Sequence, residues 1–167
     1  GWLDAEVTLT GRGKGRSPAV AVRGGKLDLR RIERDAGTGG AAGDAPLDLA
    51  LDALVVSDGI SLTGFRGAFS QKGGLNGTFT AKVNGVAEVQ GTLVPARGGS
   101  AVRISSQDAG RVLASAGIFD NARGGELDLQ LVPTGAKGGY TGAARATGFR
   151  VRNAPALAEL LSAISVV

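Results

Sequence analysis

The sequence predicts a mainly β fold: a long curved antiparallel meander sheet that forms an open apolar groove, with two short covering α-helices. Apolar and polar residues alternate at period 2 through much of the 167-residue chain, as in strands that bury one face. Glycine accounts for 29 residues and gathers in short connections such as Asn84-Gly85, a strong hairpin signal. Short connections force antiparallel neighbours, so each strand is expected to border the next.

Alternation near the start of the chain predicts a first strand at residues 3–10. The segment 11–16 (GRGKGR) is glycine-rich and basic, but it lacks the lysine-hydroxyl ending of a P-loop, so a hairpin tip is the better interpretation. A second strand is predicted at 18–22 and a third at 26–29, separated by a Gly-Gly turn. A bulge is expected near Arg30-Arg31, where the alternation slips. Residues 34–46 are small and aperiodic, which predicts a flexible loop.

From residue 46 the predicted strands follow closely, and two helices interrupt or end them. The strands are expected at 46–56, 60–70, 74–83, 86–94, 100–105, 126–131 and 140–152. Between them, apolar residues at helical spacing over 109–116 predict a short helix. Ser105 or Ser106 suits its N-cap, Asp108 suits its first turn, and Gly117 suits its end. Asn153 and Pro155 predict the start of a C-terminal helix.

One segment recurs in the chain. Residues 23–29 (RGGKLDL) return as residues 123–129 (RGGELDL), and Leu47-Asp48-Leu49 echoes both. Two interpretations stand side by side. A Gly-Gly turn followed by alternating leucines is a common strand sequence, and it is also what a sheet grown by adding similar strands would contain.

Composition argues against catalysis and against nucleic-acid binding. The chain has no histidine or cysteine, so imidazole and thiolate nucleophiles, and metal sites made of them, cannot form. Aromatic residues make up 4%, too few for base or sugar stacking, and the net charge is only +4. The carboxylates are expected on a solvated outer face: Asp4, Glu6, Asp28, Asp48, Asp52 and Asp128. We therefore predict no enzyme and no bound metal.

The abundant feature is a one-sided apolar strand surface. Two short helices cannot cover about ten strands, and a single sheet of that size curls or splits. A curled sheet with one apolar face forms a trough that suits acyl chains, whereas the alternative is an ordinary closed core. A common phase in each strand predicts one shared face for Leu27, Leu29, Leu47, Leu49, Leu51, Leu62, Phe65, Phe79, Leu93, Ile104, Leu127, Leu129 and Leu131.

Basic residues crowd the first fifth of the chain. They are Arg12, Lys14, Arg16, Arg23, Lys26, Arg30, Arg31 and Arg34. One hypothesis is a rim that meets anionic lipid headgroups, each near-surface basic residue adding about 1 kcal/mol. Solvated loop charge explains the same pattern.

The later half of the chain resembles a known family. The segments 105–131 (SSQDAGRVLASAGIFDNARGGELDLQL) and 138–167 (GGYTGAARATGFRVRNAPALAELLSAISVV) are similar to the C-terminal region of AsmA-like proteins of the YhdP type. The similarity is strongest over 93–167 and looser over 60–94. No catalytic motif contributes to it. The absence of methionine and the uncapped apolar end at residues 163–167 further predict a single domain excised from a longer protein.

The resemblance implies a function. AsmA-like proteins are similar to the bridge-like lipid transfer proteins. They are anchored in the inner membrane, project a β groove into the periplasm and are implicated in moving phospholipid between the inner and outer membranes, without catalytic residues or cofactor. The implied partners are phospholipid acyl chains, the inner and outer membranes and an outer-membrane or periplasmic protein. The implied groove residues are Ile104, Val112, Leu113, Leu127, Leu129, Leu131, Phe149 and Val151. Two alternatives stay open: a non-transporting periplasmic scaffold for outer-membrane assembly, and a repeat-type surface or adhesion protein.

Overall fold

The computed structural model describes residues 3–31, 44–135 and 139–152. The strands are β1 (Leu3–Thr10), β2 (Ala19–Asp28), β3 (Pro46–Ser57), β4 (Ile60–Ser70), β5 (Asn76–Val83), β6 (Ala87–Ala96), β7 (Gly99–Ser106), β8 (Ala122–Arg123), β9 (Glu126–Pro133), β10 (Tyr140–Thr147) and β11 (Arg150–Val151). A helix, α1 (Ala109–Ser115), lies between β7 and β8. The backbone of residues 29–31 is also helical. The predicted loop at 34–46 and the predicted C-terminal helix fall largely or wholly outside the described residues.

Nine strands form one open sheet, which confirms the predicted mainly β fold. Their order is β1-β2-β3-β4-β5-β6-β7-β9-β10, and β8 and β11 form a separate two-stranded sheet. Because β8 leaves the main sheet, β7 pairs directly with β9, with Ile104 opposite Leu129. From β3 to β7 each strand borders the next, as the short connections predict.

One pair of neighbours departs from the predicted meander. Strands β2 and β3 run parallel, with Val20 opposite Leu47 and Leu27 opposite Leu54. A parallel pair requires a crossover of about a dozen residues or more, and the chain has residues 29–45 for it. The sheet is therefore mixed, and the expectation of antiparallel pairing throughout is wrong at this position.

Strand β2 is continuous where two separate strands were predicted. Gly24 and Gly25 lie inside it at φ 67° and 70°, and the register with β1 shifts beside them, between Asp4 and Glu6. The missing side chain of Gly25 lets the Asp4 carbonyl approach, and the Gly25 N–H donates to the Asp52 carboxylate at 2.7 Å. The Gly-Gly pair thus forms a bulge and not the predicted turn. The bulge was expected near Arg30-Arg31, but residues 29–31 are helical and the bulge of this segment lies at Gly24-Gly25.

The register places most of the large apolar side chains of the nine strands on one face. One cross-strand row runs Leu49, Gly67, Phe79, Gly91 and Ile104 and continues through Leu129 to Ala144. Bulges at Gly24-Gly25 and at Gly64 (φ 57°) shift the alternation, so this face stays apolar although the spacing of the apolar residues changes along β2 and β4. A single hydrophobic cluster therefore extends from Leu3 to Ala146.

Phenylalanine rings fill the centre of this face above glycines. Phe65 stacks on Phe79, with ring centroids 5.0 Å apart, and Phe79 lies between Gly67 and Gly91 in the register. A Cβ atom at Gly91 would overlap the Phe79 ring. The glycines therefore provide the space in which the aromatic rings lie flat against the sheet.

Gly91→Ala is expected to lower the free energy of unfolding by about 1–3 kcal/mol, because the added methyl group overpacks the ring of Phe79. Gly59→Ala in the β3–β4 turn is the matched control, since nothing lies within 4 Å of a Cβ there. Its effect should stay within about 0.5 kcal/mol. Urea unfolding of both variants measures the difference, and equal effects would contradict the packing described.

The end of β2 carries a buried carboxylate. Asp28 is only 6% exposed, although the alternation predicted it on the solvated face. The Arg30 guanidinium donates to it from Nε at 2.9 Å and from Nη2 at 2.7 Å, and Arg31 lies 3.5 Å away. Hydrogen bonding by Arg30 is the main cause that lowers the pKa of Asp28 to about 2. This ion pair compensates for the removal of the carboxylate from water.

Acid should weaken the fold through Asp28. Its folded pKa lies below the ordinary value of 3.8, so its stabilising contribution is present above about pH 4 and is lost as pH falls toward 2. Asp28→Asn should remove this part of the pH dependence. Denaturant midpoints at pH 7, 4 and 2 measure it, with Asp120→Asn in the exposed turn after α1 as control. A parallel pH profile for Asp28→Asn and wild type would refute the assignment.

Helix α1 forms where it was predicted, but neither Ser105 nor Ser106 caps it, because both lie at the end of β7. Asp108 is its N-cap, and its carboxylate accepts a hydrogen bond from the Arg111 backbone N–H at 2.9 Å. Gly117 follows the helix at φ 74°. Val112 is buried against the sheet, while Leu113 is half-buried.

The last predicted strand, 140–152, is instead divided. Gly148 (φ 70°) separates β10 from β11, and β11 pairs with β8. The prediction of a single strand over these residues is therefore wrong, because the turn at Gly148 carries the chain out of the main sheet.

Candidate lipid-binding face

The apolar face of the nine-stranded sheet is closed at its centre. Leu51 is fully buried, and Phe65, Phe79 and Val89 are buried beside it. Residues of the neighbouring strands belong to the same cluster, and helix α1 adds Ala109 and Val112 to it. The centre is therefore packed like a domain core.

The two margins of the same face are more open. On β7 and β9, Val102, Ile104 and Leu129 are half-buried. Next to them β10 presents the small residues Gly142, opposite Leu131, and Ala144, opposite Leu129, and the exposed Tyr140 at its start. A shallow ledge of aliphatic side chains therefore runs along β7, β9 and β10. We call this surface the β7–β10 ledge.

The other margin is β1. Val7 and Leu9 lie on the apolar face, opposite Val22 and Val20, yet they are 48% and 65% exposed. Large exposed aliphatic residues in adjacent register positions are unusual on a surface that meets only water.

Most residues predicted for the groove share the apolar face. The register brings together Leu27, Leu47, Leu49, Leu51, Leu62, Phe65, Phe79, Leu93, Ile104, Leu127, Leu129 and Leu131. Leu29 does not join them, because it follows β2 in the helical turn and is exposed.

The groove residues that the resemblance implied lie partly elsewhere. Phe149 packs against the main cluster and stacks on Phe119, with ring centroids 6.4 Å apart. Val151 belongs to the small β8–β11 sheet and is half-buried. Val151 therefore does not lie on the face formed by the nine strands.

Several core residues escaped sequence reasoning. Leu54 lies on the same face as Leu51 although it is an odd number of positions further along the strand, because the alternation shifts at Asp52 beside the β2 bulge. Val83 and Val89 are also buried on this face, on either side of the Asn84-Gly85 hairpin. The hairpin signal could have identified them, since its flanking residues must pair across the turn.

The predicted headgroup rim is not one surface. The loop that carries Arg12, Lys14 and Arg16 precedes β2, while Arg30 and Arg31 follow it. A ten-residue strand separates its two ends by about 30 Å, so the two groups lie far apart. Arg23 and Lys26 lie on β2 between these two groups. Both are on the polar face of the sheet, as are their register partners Glu6 and Asp4.

Several of these basic residues are ion-paired. Arg12 lies 3.6 Å from Asp44, and Arg23 lies 2.9 Å from Asp48. The hydrogen bond from Arg23 lowers the pKa of Asp48. Arg30 contacts both Asp28 and Asp58. Lys14, Arg16 and Lys26 are exposed, so the positive charge is dispersed and partly compensated.

Two open cavities of 750 and 620 Å³ lie along the polar face. Gln90, Arg103 and Ser105 contribute to both. Arg103 is ion-paired with Asp128, and this contact is the main cause that lowers the pKa of Asp128. Acidic residues balance the basic ones around the larger cavity, so it has no clear preference for an anion or a cation.

Two further findings concern membranes and metals. Within the described ranges, no helix has both the length and the apolar character needed to cross a membrane. In the same ranges no cluster of three carboxylates is arranged to hold a metal ion.

Comparison of the chain with protein-family models, curated proteins and solved structures found no match.

Proposed function

We propose that this protein binds phospholipid acyl chains on the apolar face of its sheet, as a groove segment of a periplasmic bridge-like protein that moves phospholipid between the inner and outer membranes. The observation that carries the proposal is the open nine-stranded sheet with one continuous apolar face and half-exposed aliphatic margins. The resemblance to AsmA-like proteins supplies the compartment, the inner-membrane anchor of the full-length protein and the two membranes as partners.

The β7–β10 ledge is the proposed contact surface. An acyl chain laid across it would cover Ile104, Leu129 and Leu131 and meet the small side chains of β10. Each methylene group removed from water contributes about 0.8 kcal/mol. The ledge carries no charged side chain on this face, because Asp128 and Arg145 lie on the opposite one. It therefore combines apolar character with access from solvent.

A scaffold that assists outer-membrane assembly without carrying lipid is the second candidate. The packed centre of the face favours it, because Phe65, Phe69 and Phe79 occupy the space that a lipid would need there. In this case the ledge would contact another periplasmic or outer-membrane protein. The two functions differ in whether lipid touches the ledge.

Photocrosslinking distinguishes them. A photoreactive amino acid at position 104 faces the ledge, and the same amino acid at position 103 faces the opposite side of the same strand. With phospholipid vesicles, crosslinked lipid is expected from position 104 and not from position 103. Mass spectrometry of organic extracts of the purified chain should identify phospholipid. No crosslink at position 104 together with a lipid-free extract would overturn lipid binding in favour of the scaffold.

A further inference from the structure

The two edges of the main sheet lie at β1 and β10. In the part of the chain that the structure describes, each of these eight-residue strands pairs on one side only. An edge strand presents unpaired backbone N–H and C=O groups that can pair with another strand. Neither strand contains proline or lysine, the residues that commonly block such pairing.

The two edges are complementary in charge. Strand β1 carries Asp4 and Glu6 on the polar face and has no basic residue. Strand β10 carries Arg145 on the polar face and has no acidic residue.

The two edges are also complementary in shape on the apolar face. Strand β1 offers the large and exposed Val7 and Leu9, and β10 offers the small Gly142 and Ala144, with the large Tyr140 only at its first position. The large side chains of the β1 edge can therefore pack beside the small residues of the β10 edge.

We propose that β1 of one copy of this chain pairs with β10 of a second copy, extending the sheet from molecule to molecule. Antiparallel pairing with Glu6 opposite Arg145 places Val7 opposite Ala144 and Leu9 opposite Gly142. The polar and apolar faces then continue across the junction. Such head-to-tail contacts use two different surfaces, so they produce rings or open filaments rather than closed dimers.

The complementarity selects a second copy as the occupant. A strand from an unrelated protein could pair with one edge, but here the matching charge and side-chain size lie on the opposite edge of the same sheet. Pairing also covers Val7 and Leu9, which remain exposed in a single copy. This inference does not require that the sheet binds lipid.

Sedimentation in lipid-free buffer tests the contact. The wild-type chain is expected to associate as its concentration rises. Glu6→Arg and Arg145→Glu, each alone, should weaken association about fivefold to tenfold, because an ion pair becomes a like-charge pair. The double variant Glu6→Arg/Arg145→Glu should restore it. Glu88→Arg, exposed on the internal strand β6, is the control and should behave as wild type. A wild type that stays monomeric, or single variants that associate normally, would overturn the proposal.

Disulfide trapping tests the arrangement independently. The chain has no cysteine, so each introduced thiol is unique. Thr8→Cys and Ala143→Cys lie opposite each other in the proposed register, within reach of a disulfide. Mixing the two variants should yield the heterodimer under oxidation, and each variant alone should yield little dimer. Efficient homodimers of Thr8→Cys alone would show β1–β1 pairing and refute the head-to-tail contact.

Discussion

Leu129→Asp should abolish lipid crosslinking at position 104 while the chain stays folded. Leu129 lies opposite Ile104 in the register, in the middle of the β7–β10 ledge. Its side chain is half-buried, so water can hydrate the new carboxylate when no lipid is present. With an acyl chain in place the same carboxylate would be cut off from water, which costs several kcal/mol. The loss of binding should therefore exceed about a hundredfold.

Gln130→Asp is the matched control for Leu129→Asp. Residue 130 adjoins Leu129 on the polar face of β9, opposite Arg103 and Ala143. Gln130→Asp adds the same negative charge as Leu129→Asp, but on the face of the sheet that no lipid should contact. Crosslinking from position 104 and circular dichroism of both variants are the measurements. If Leu129→Asp crosslinks as strongly as Gln130→Asp, the ledge is not the lipid site. If it unfolds, the ledge is part of a closed core.

Leu51→Asp should unfold the chain. Leu51 is completely buried, and it lies opposite Phe65 at the centre of the apolar face. The substitution removes a buried leucine side chain, which costs about 2–5 kcal/mol, and places an unpaired carboxylate in an apolar site. Together these terms approach the whole stability of a typical domain, about 5–15 kcal/mol.

Ala50→Asp controls for charge in the same strand, because Ala50 lies on the polar face opposite Arg66 and Arg23. Thermal melting followed by circular dichroism compares the two variants. We expect a cooperative transition for Ala50→Asp and none for Leu51→Asp. A folded Leu51→Asp protein would mean that the centre of the face opens to water, which would favour a continuous groove along the whole sheet.

The sequence was most informative where strands are linked by tight turns. Alternation between Ile60 and Ser70 predicted β4 with its observed bounds, and Asn84-Gly85 predicted the β5–β6 hairpin. Alternation does not encode strand direction, so the parallel β2–β3 pair was not predictable from it. Nor does it distinguish a bulge from a turn, because Gly24-Gly25 serves either with the same positive φ angles.

The sequence predicted which residues share the candidate site but not how deeply each of them is buried. Alternation assigns Leu51 and Leu129 to the same face, yet one is enclosed by phenylalanine rings and the other borders glycine and alanine. That difference depends on how far the sheet curls. The basic residues do not form one surface for a related reason: Arg16 and Arg30 are close in sequence, but an extended strand carries them apart.

The parallel pairing of β2 and β3 also bears on the order in which the strands of the sheet pair during folding. Strands β3 to β7 are built from short hairpins, and β1 and β2 form a hairpin of their own. The two units meet only after residues 29–45 have brought the end of β2 back to the start of β3, which costs loop-closure entropy before any contact forms. Non-local pairing of this kind is slow. The chain should therefore acquire its hairpins first and join them last, and until then the β3 edge remains open to a strand from another molecule.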